Sequence, residues 1–300
     1  MTKNEIIDIK KSAISFNPLL TENGLFITRD GSLSVLLKID FSIKNLSSLL
    51  KTLRQGDSAQ IYRICVHGSE QWYLCVTAKI DYDFKKLQLR KVLFNSYNNY
   101  LNLIQKKTLA AEEILGKYDG DCELDNPCNS LLVKILRGLG GANSITGVIR
   151  NVHNLNKSAE LKNEMDQFLL CYKVFLPEIA QRRKMVELYT DRAAKMVNIG
   201  EESVAQVDTV AVNTDMNYLG PIFFTSCNWF LWNNSIERLH GSLNKLVSLC
   251  DRSELVTGIS EVNKIDEYRS LFPGMTATGY DYDVVTKKYL DITLNLIGTM

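Results

Sequence analysis

The sequence lacks a net charge of any size. Its 35 lysines and arginines stand against 34 aspartates and glutamates, leaving +1. That excludes a chain-wide field of the kind that draws nucleic acid or anionic lipid, although a local basic patch is compatible with it. No run of roughly 18 apolar residues is present, so no transmembrane helix is expected. The start, Met1-Thr2-Lys3-Asn4-Glu5, lacks the apolar core and small-residue cleavage site of a secretory signal. A cytosolic chain, or one held at a membrane through a partner, is the expectation. Histidine is scarce: His67, His153 and His240 are dispersed, with no metal-ligand spacing and no Ser/His/Asp or Cys/His arrangement. A Gly-Lys-Ser/Thr phosphate loop is also missing. Such a loop uses backbone amides to cradle phosphates, lysine to neutralise them and a hydroxyl to hold magnesium. The only Gly-Lys pair, Gly116-Lys117, is followed by Tyr118. No catalytic residue, cofactor site or metal site is therefore expected.

What the chain does have is enough apolar material for a core. The hydrophobic fraction is 45% and the charged fraction 23%, both ordinary for globular domains. The seven cysteines are odd in number and scattered. Cys65 and Cys75 lie in apolar runs of strand character, and Cys171 and Cys250 are assigned to helical apolar faces. Reduced core thiols are expected. Cys122 and Cys128 have neither zinc-knuckle nor CxxC spacing.

Along the chain, Leu25-Phe26-Ile27-Thr28, the turn signal Asp30-Gly31 and the segment 33–39 read as a β-hairpin. After Ser42, apolar residues at Ile43, Leu46, Leu49, Leu50 and Leu53 predict an amphipathic helix that stops at Gln55-Gly56-Asp57. Strands are expected over 59–66 and 71–80. Helices are expected over 83–118, 129–137 and 161–197, the last broken or kinked by Pro177. Gly138-Leu139-Gly140-Gly141 marks an internal boundary and reads as a helix stop. Strand character returns at 203–212 and 222–232. Asn234-Ser235-Ile236-Glu237 resembles a capping box ahead of a helix with apolar positions Ile236, Leu239, Leu243, Leu246, Val247 and Cys250. The expected class is α+β: small, mostly antiparallel sheets with packed helices and a central helical region. The expected parts are an N-terminal α+β subdomain (1–82), a helical region (83–200) and a C-terminal α+β portion (201–300).

Two clusters are candidates for contact with partners. Arg182, Arg183 and Lys184, with Arg192 and Lys195 further along, can face phosphates, an acidic partner or lipid headgroups, or can simply be a solvated helix face. Phe223, Phe224, Trp229, Phe230 and Trp232 form a dense aromatic set. Aromatics of this kind anchor interfaces and also fill sheet cores, and Phe224, Trp229, Phe230 and Trp232 are the interface candidates.

The order of these features resembles one family. Asn23-Gly24-Leu25-Phe26-Ile27-Thr28-Arg29-Asp30-Gly31-Ser32-Leu33 resembles the hairpin that opens the N-terminal domain of the type IV secretion and conjugative transfer ATPases of the VirB/TraC/DotO type. Gly220-Pro221-Ile222-Phe223-Phe224-Thr225-Ser226 is similar to that family's strand after a helical insertion. Ser235-Ile236-Glu237-Arg238-Leu239 resembles the start of its next helix, and Tyr268-Arg269-Ser270-Leu271-Phe272-Pro273-Gly274 its Leu-Pro-Gly turn. Thr293-Leu294-Asn295-Leu296 is similar to the segment that leads into the motor.

The resemblance implies a non-catalytic assembly and docking domain, cytoplasmic and peripheral to the bacterial inner membrane. Its implied partners are further copies of itself (hexameric in the full-length protein), inner-membrane secretion components and other secretion ATPases. ATP and magnesium are implied only for a C-terminal motor domain outside these residues. The alternative is a nucleic-acid-associated module that uses the basic helix face.

Overall fold

The computed structural model describes residues 19–20, 25–27, 32–66, 68–78, 105–109, 129–137, 167–178, 222–233, 235–252, 256–259, 270–271, 273–274, 283–286 and 290–299. These form eleven strands and three main helices. The strands are β1 (Leu19–Leu20), β2 (Leu25–Ile27), β3 (Leu33–Ile39), β4 (Ser58–Val66), β5 (Ser69–Ala78), β6 (Gln105–Leu109), β7 (Asn129–Arg137), β8 (Gln167–Phe175), β9 (Ile222–Asn233), β10 (Val256–Ile259) and β11 (Asp283–Thr286). The helices are α1 (Ile43–Leu50), α2 (Ile236–Arg252) and α3 (Leu290–Thr299). The fold is α+β and its described pairings are antiparallel.

The strands join one sheet in the order β1-β2-β3-β5-β4-β8-β9-β7-β10. Its centre is β3-β5-β4-β8-β9. The outer side of β3 is divided between β2, opposite Leu33–Val35, and β6, opposite Leu36–Ile39. The outer side of β9 is divided in the same way, with β11 opposite 222–225 and β7 opposite 228–233. β3 and β4 both run antiparallel to β5, so they are parallel to each other, and α1 makes the crossover that parallel strands require.

Side chains alternate between the two faces of the sheet. Val35 and Leu37 of β3, Ala59 and Ile61 of β4, and Leu74 and Val76 of β5 share one buried cluster with the helices. Leu170 and Val174 of β8 and Trp229 and Leu231 of β9 extend it. The helices contribute Leu46, Leu49 and Leu50 (α1), Leu239, Leu243 and Leu246 (α2), and Leu290, Leu294 and Ile297 (α3). Each fully buried leucine is worth about 1.5–3 kcal/mol relative to exposure, so this face supplies most of the driving force.

Local chemistry explains the helix boundaries. Ser42 caps α1 through its Oγ, which accepts from the Asn45 N–H at 3.4 Å. The chain then leaves the helix through Gly56, whose φ of 87° favours glycine. That loop is pinned to the end of β8: Gly56 N donates to Leu176 O at 2.7 Å and Leu176 N to Asp57 O at 3.1 Å. The cap of α2 differs from the expected Asn234 box. Ser235 is the cap, with Leu239 N donating to Ser235 O at 3.0 Å and Arg238 N to Ser235 Oγ at 3.4 Å. Asn234 itself lies outside the described residues.

Three expected helices are corrected where the structure describes them. Within 83–118, residues Gln105–Leu109 are strand β6, which pairs with β3. Asn129–Arg137 is β7, a short apolar run whose length suits a strand between β9 and β10. Gln167–Phe175, inside the expected 161–197 helix, is β8. It is buried on both faces between β4 and β9, so its apolar positions form a near-continuous run instead of an alternation. Pro177 thus follows a strand and kinks no helix there. Cys171 accordingly sits on a strand.

Candidate functional site

The opposite face of the same five strands is buried as well, and there polar groups stand among apolar ones such as Leu36, Leu169, Phe224 and Phe230. One row across it runs Leu36, Cys75, Gln60, Lys173 and Ser226, and the next runs Lys38, Tyr73, Tyr62, Cys171 and Asn228. Gln60 and Lys173, at 3% and 4% exposure, are buried polar groups on central strands. Such groups are costly unless hydrogen-bonded.

The described chain that meets this face is the turn at Ser270, Leu271, Pro273 and Gly274. Gln60 grips it with both ends of its amide: Nε2 donates to Ser270 O at 3.2 Å, and Oε1 accepts from Gly274 N at 2.8 Å. Tyr62 donates its hydroxyl to Leu271 O at 2.9 Å. Lys173 donates Nζ to Ser270 Oγ at 2.6 Å. Gly274 has a φ of 78°, a left-handed conformation that a side chain would strain. Two neighbouring strands therefore seat the turn through four directional bonds.

Beside the turn, Ser34 and Thr77 share a hydroxyl–hydroxyl bond of 2.7 Å, and Thr77 lies 3.9 Å from the Cys75 sulfur. Burial pushes the Cys75 thiol up to about 12, against the opposing hydrogen bonds of Thr77 and the Gly274 backbone. Burial also raises Cys171, to about 11, with the Lys173 charge and a Tyr62 hydrogen bond pulling the other way. Both are thus protonated thiols at neutral pH, and protonated thiols are poor nucleophiles. A lysine at hydrogen-bond distance from a serine also resembles a serine–lysine nucleophile. Here the ammonium is the donor, and both side chains are buried under the turn that carries Ser270. The pair holds the backbone in place and presents neither group to a substrate.

A second polar group lies on the helix-covered face. Arg63 is 2% exposed and donates Nη2 to Glu70 Oε2 at 2.7 Å, while Trp72 Nε1 donates to Glu70 Oε1 at 2.6 Å. The guanidinium carbon sits 5.4 Å from the ring centroids of both Trp72 and Phe168. Among the described residues its Nε and Nη1 have no hydrogen-bond partner. The ring faces offset part of that cost through cation–π attraction. Phe41 stacks on Trp72 at 4.0 Å.

The sequence-derived interface candidates require a correction. Phe224, Trp229, Phe230 and Trp232 are all buried within this chain, at 2% exposure or less. β9 is flanked on both sides by other strands, so its aromatics fill the two layers of the sheet and none is available to a partner. Arg182, Arg183 and Lys184 lie outside the described residues, as do Cys122, Cys128 and the Gly138–Gly141 cluster. His240 is exposed on α2. Among the described residues no group of three or more His, Cys, Asp or Glu is placed to hold a metal, and no helix is long and apolar enough to cross a membrane. Gln60, Tyr62 and Lys173 escaped the sequence reading. The one signal for them was Lys173, a cation interrupting an otherwise apolar run from Phe168 to Leu176.

Known family models give no match to this chain, and comparison with curated protein sequences gives none either.

Proposed function

We propose that this chain is a non-catalytic assembly and docking domain of a type IV secretion or conjugative transfer ATPase. In this reading it mediates oligomerisation, hexameric in the full-length protein, and attachment to the inner-membrane complex and to other secretion ATPases. It serves protein or DNA export from the cytoplasmic side, peripheral to the membrane. ATP and magnesium are handled by a separate motor domain. One observation carries the proposal: segments that share the family resemblance, far apart in sequence, belong to a single sheet. The opening hairpin is β2–β3, the strand at 222–226 is in β9, and the turn at 270–274 sits on β4 and β8 between them. A docking domain needs such a rigid platform and needs no reactive group on it.

The test is co-sedimentation of the purified chain with inner-membrane vesicles from cells that carry a type IV secretion apparatus and from cells that lack it, with ATP turnover measured in parallel. Selective binding to the first vesicles without hydrolysis is expected. Equal binding to both, or ATP turnover abolished by substitutions in this chain, would contradict the reading.

A further inference from the structure

We propose that Arg63 and Trp72 form a carboxylate-binding site, and that Glu70, its resident occupant, gives way there to an acidic side chain of a partner protein. Arg63 and Trp72 stand directly opposite each other on β4 and β5, so their side chains share the helix-covered face. Both residues are buried, at 2% and 9% exposure. Each donates to a different oxygen of one carboxylate: Arg63 Nη2 to Glu70 Oε2 at 2.7 Å, and Trp72 Nε1 to Glu70 Oε1 at 2.6 Å. The rings of Trp72 and Phe168 flank the guanidinium and keep water from it, which strengthens its hold on an anion.

Glu70 reaches this site from the surface. Its side chain is 39% exposed, against 3% for Arg63. Withdrawing it alone leaves a buried, uncompensated cation, which is strongly unfavourable. Exchanging it for another carboxylate keeps the charge paired. The incoming group also has bonds to gain. Among the described residues Arg63 Nε and Nη1 have no hydrogen-bond partner. Buried donors left unpaired are costly, so an aspartate or glutamate whose own backbone carbonyl adds a further acceptor can outbind Glu70. A planar monoanion matches the two donors and the single buried cation. A phosphate dianion carries surplus charge into a site that is shielded from water.

The experiment titrates the full chain separately with sodium acetate, sodium chloride and inorganic phosphate. Proton–nitrogen correlation spectra follow the Arg63 Nε–H and the Trp72 indole N–H. Wild type is compared with Glu70→Gln and Glu70→Asp. The shorter aspartate withdraws from the two donors but keeps the charge near them, so it serves if the neutral variant folds poorly. Acetate is expected to shift both signals saturably, with a midpoint about tenfold lower in Glu70→Gln than in wild type, because a competing charge-assisted bond is gone. The readout needs no secretion apparatus, so it stands apart from the docking reading. No saturable shift in either variant, an equal response to chloride (an adventitious ion only), or tighter binding of phosphate than of acetate overturns the proposal.

Discussion

The two faces of the central sheet are made by the same five strands at adjacent positions, yet they hold their coverings in opposite ways. The row Leu37, Leu74, Ile61, Tyr172 and Cys227 lies under the helices, and the row one residue away reads Leu36, Cys75, Gln60, Lys173 and Ser226. The first row attracts any apolar surface of suitable shape, because hydrophobic burial is non-directional. The second accepts only a backbone that presents carbonyls and an amide in the right places. Both faces bury apolar side chains, and only the second adds polar groups that fix the position of a single turn. A substitution on one should be felt as lost free energy, and on the other as lost placement of a single turn.

That contrast can be broken most severely from the helix side. Leu246→Ala, at a fully buried position of α2, is expected to cost about 2–5 kcal/mol in denaturant unfolding, the range for leucine truncation in cores. A loss near zero would mean that α2 does not seat on the sheet. Next in size is Gly274→Ala. Forcing an L-residue into its left-handed backbone is expected to cost about 1–2 kcal/mol, with the loss appearing as faster exchange at the turn. Tyr62→Phe removes one hydroxyl from the polar face, and about 1 kcal/mol is expected from thermal melts.

The smallest effect concerns pH. Lys51, the C-cap of α1, donates to Asp291 of α3 at 2.7 Å, with the aspartate side chain about half exposed. Burial alone would raise the Asp291 carboxyl, but the hydrogen bond from Lys51 and the Lys51 charge hold it below its ordinary value. A depressed carboxylate binds fewer protons folded than unfolded. Its stabilisation is therefore present above the unfolded value and lost as pH falls through the folded one. Between neutral pH and that acid range, Asp291→Asn is expected to flatten the stability profile by about 0.2–1 kcal/mol, as for exposed ion pairs. An unchanged profile would remove this pair from the account.

Much of the helix face was legible in the sequence. The 3–4 residue spacing of Ile43, Leu46, Leu49 and Leu50 marks α1, and Leu239, Leu243 and Leu246 mark α2, because amphipathic periodicity is a local property. The hairpin β2–β3 and the strands β4 and β5 were legible for the same reason. β7 and β8 were not. Their apolar runs suit a strand between two others as well as a buried helix, and only the neighbouring strands decide between them. The aromatics of β9 misled in a related way, since a fully enclosed strand and a sticky surface have the same composition. Gln60 and Lys173 lie roughly 100 residues or more from Ser270 in the chain, and no local pattern joins groups so far apart.

Residue-resolved native-state hydrogen exchange tests the division between the faces most directly. The Gly274 amide, bonded to the Gln60 side chain, should exchange through a small local opening, insensitive to denaturant. Amides of α2 and of the central strands should exchange only through a larger, denaturant-dependent unfolding. If Gly274 and the α2 amides share one opening free energy and one denaturant dependence, the faces are a single cooperative unit and the account is wrong.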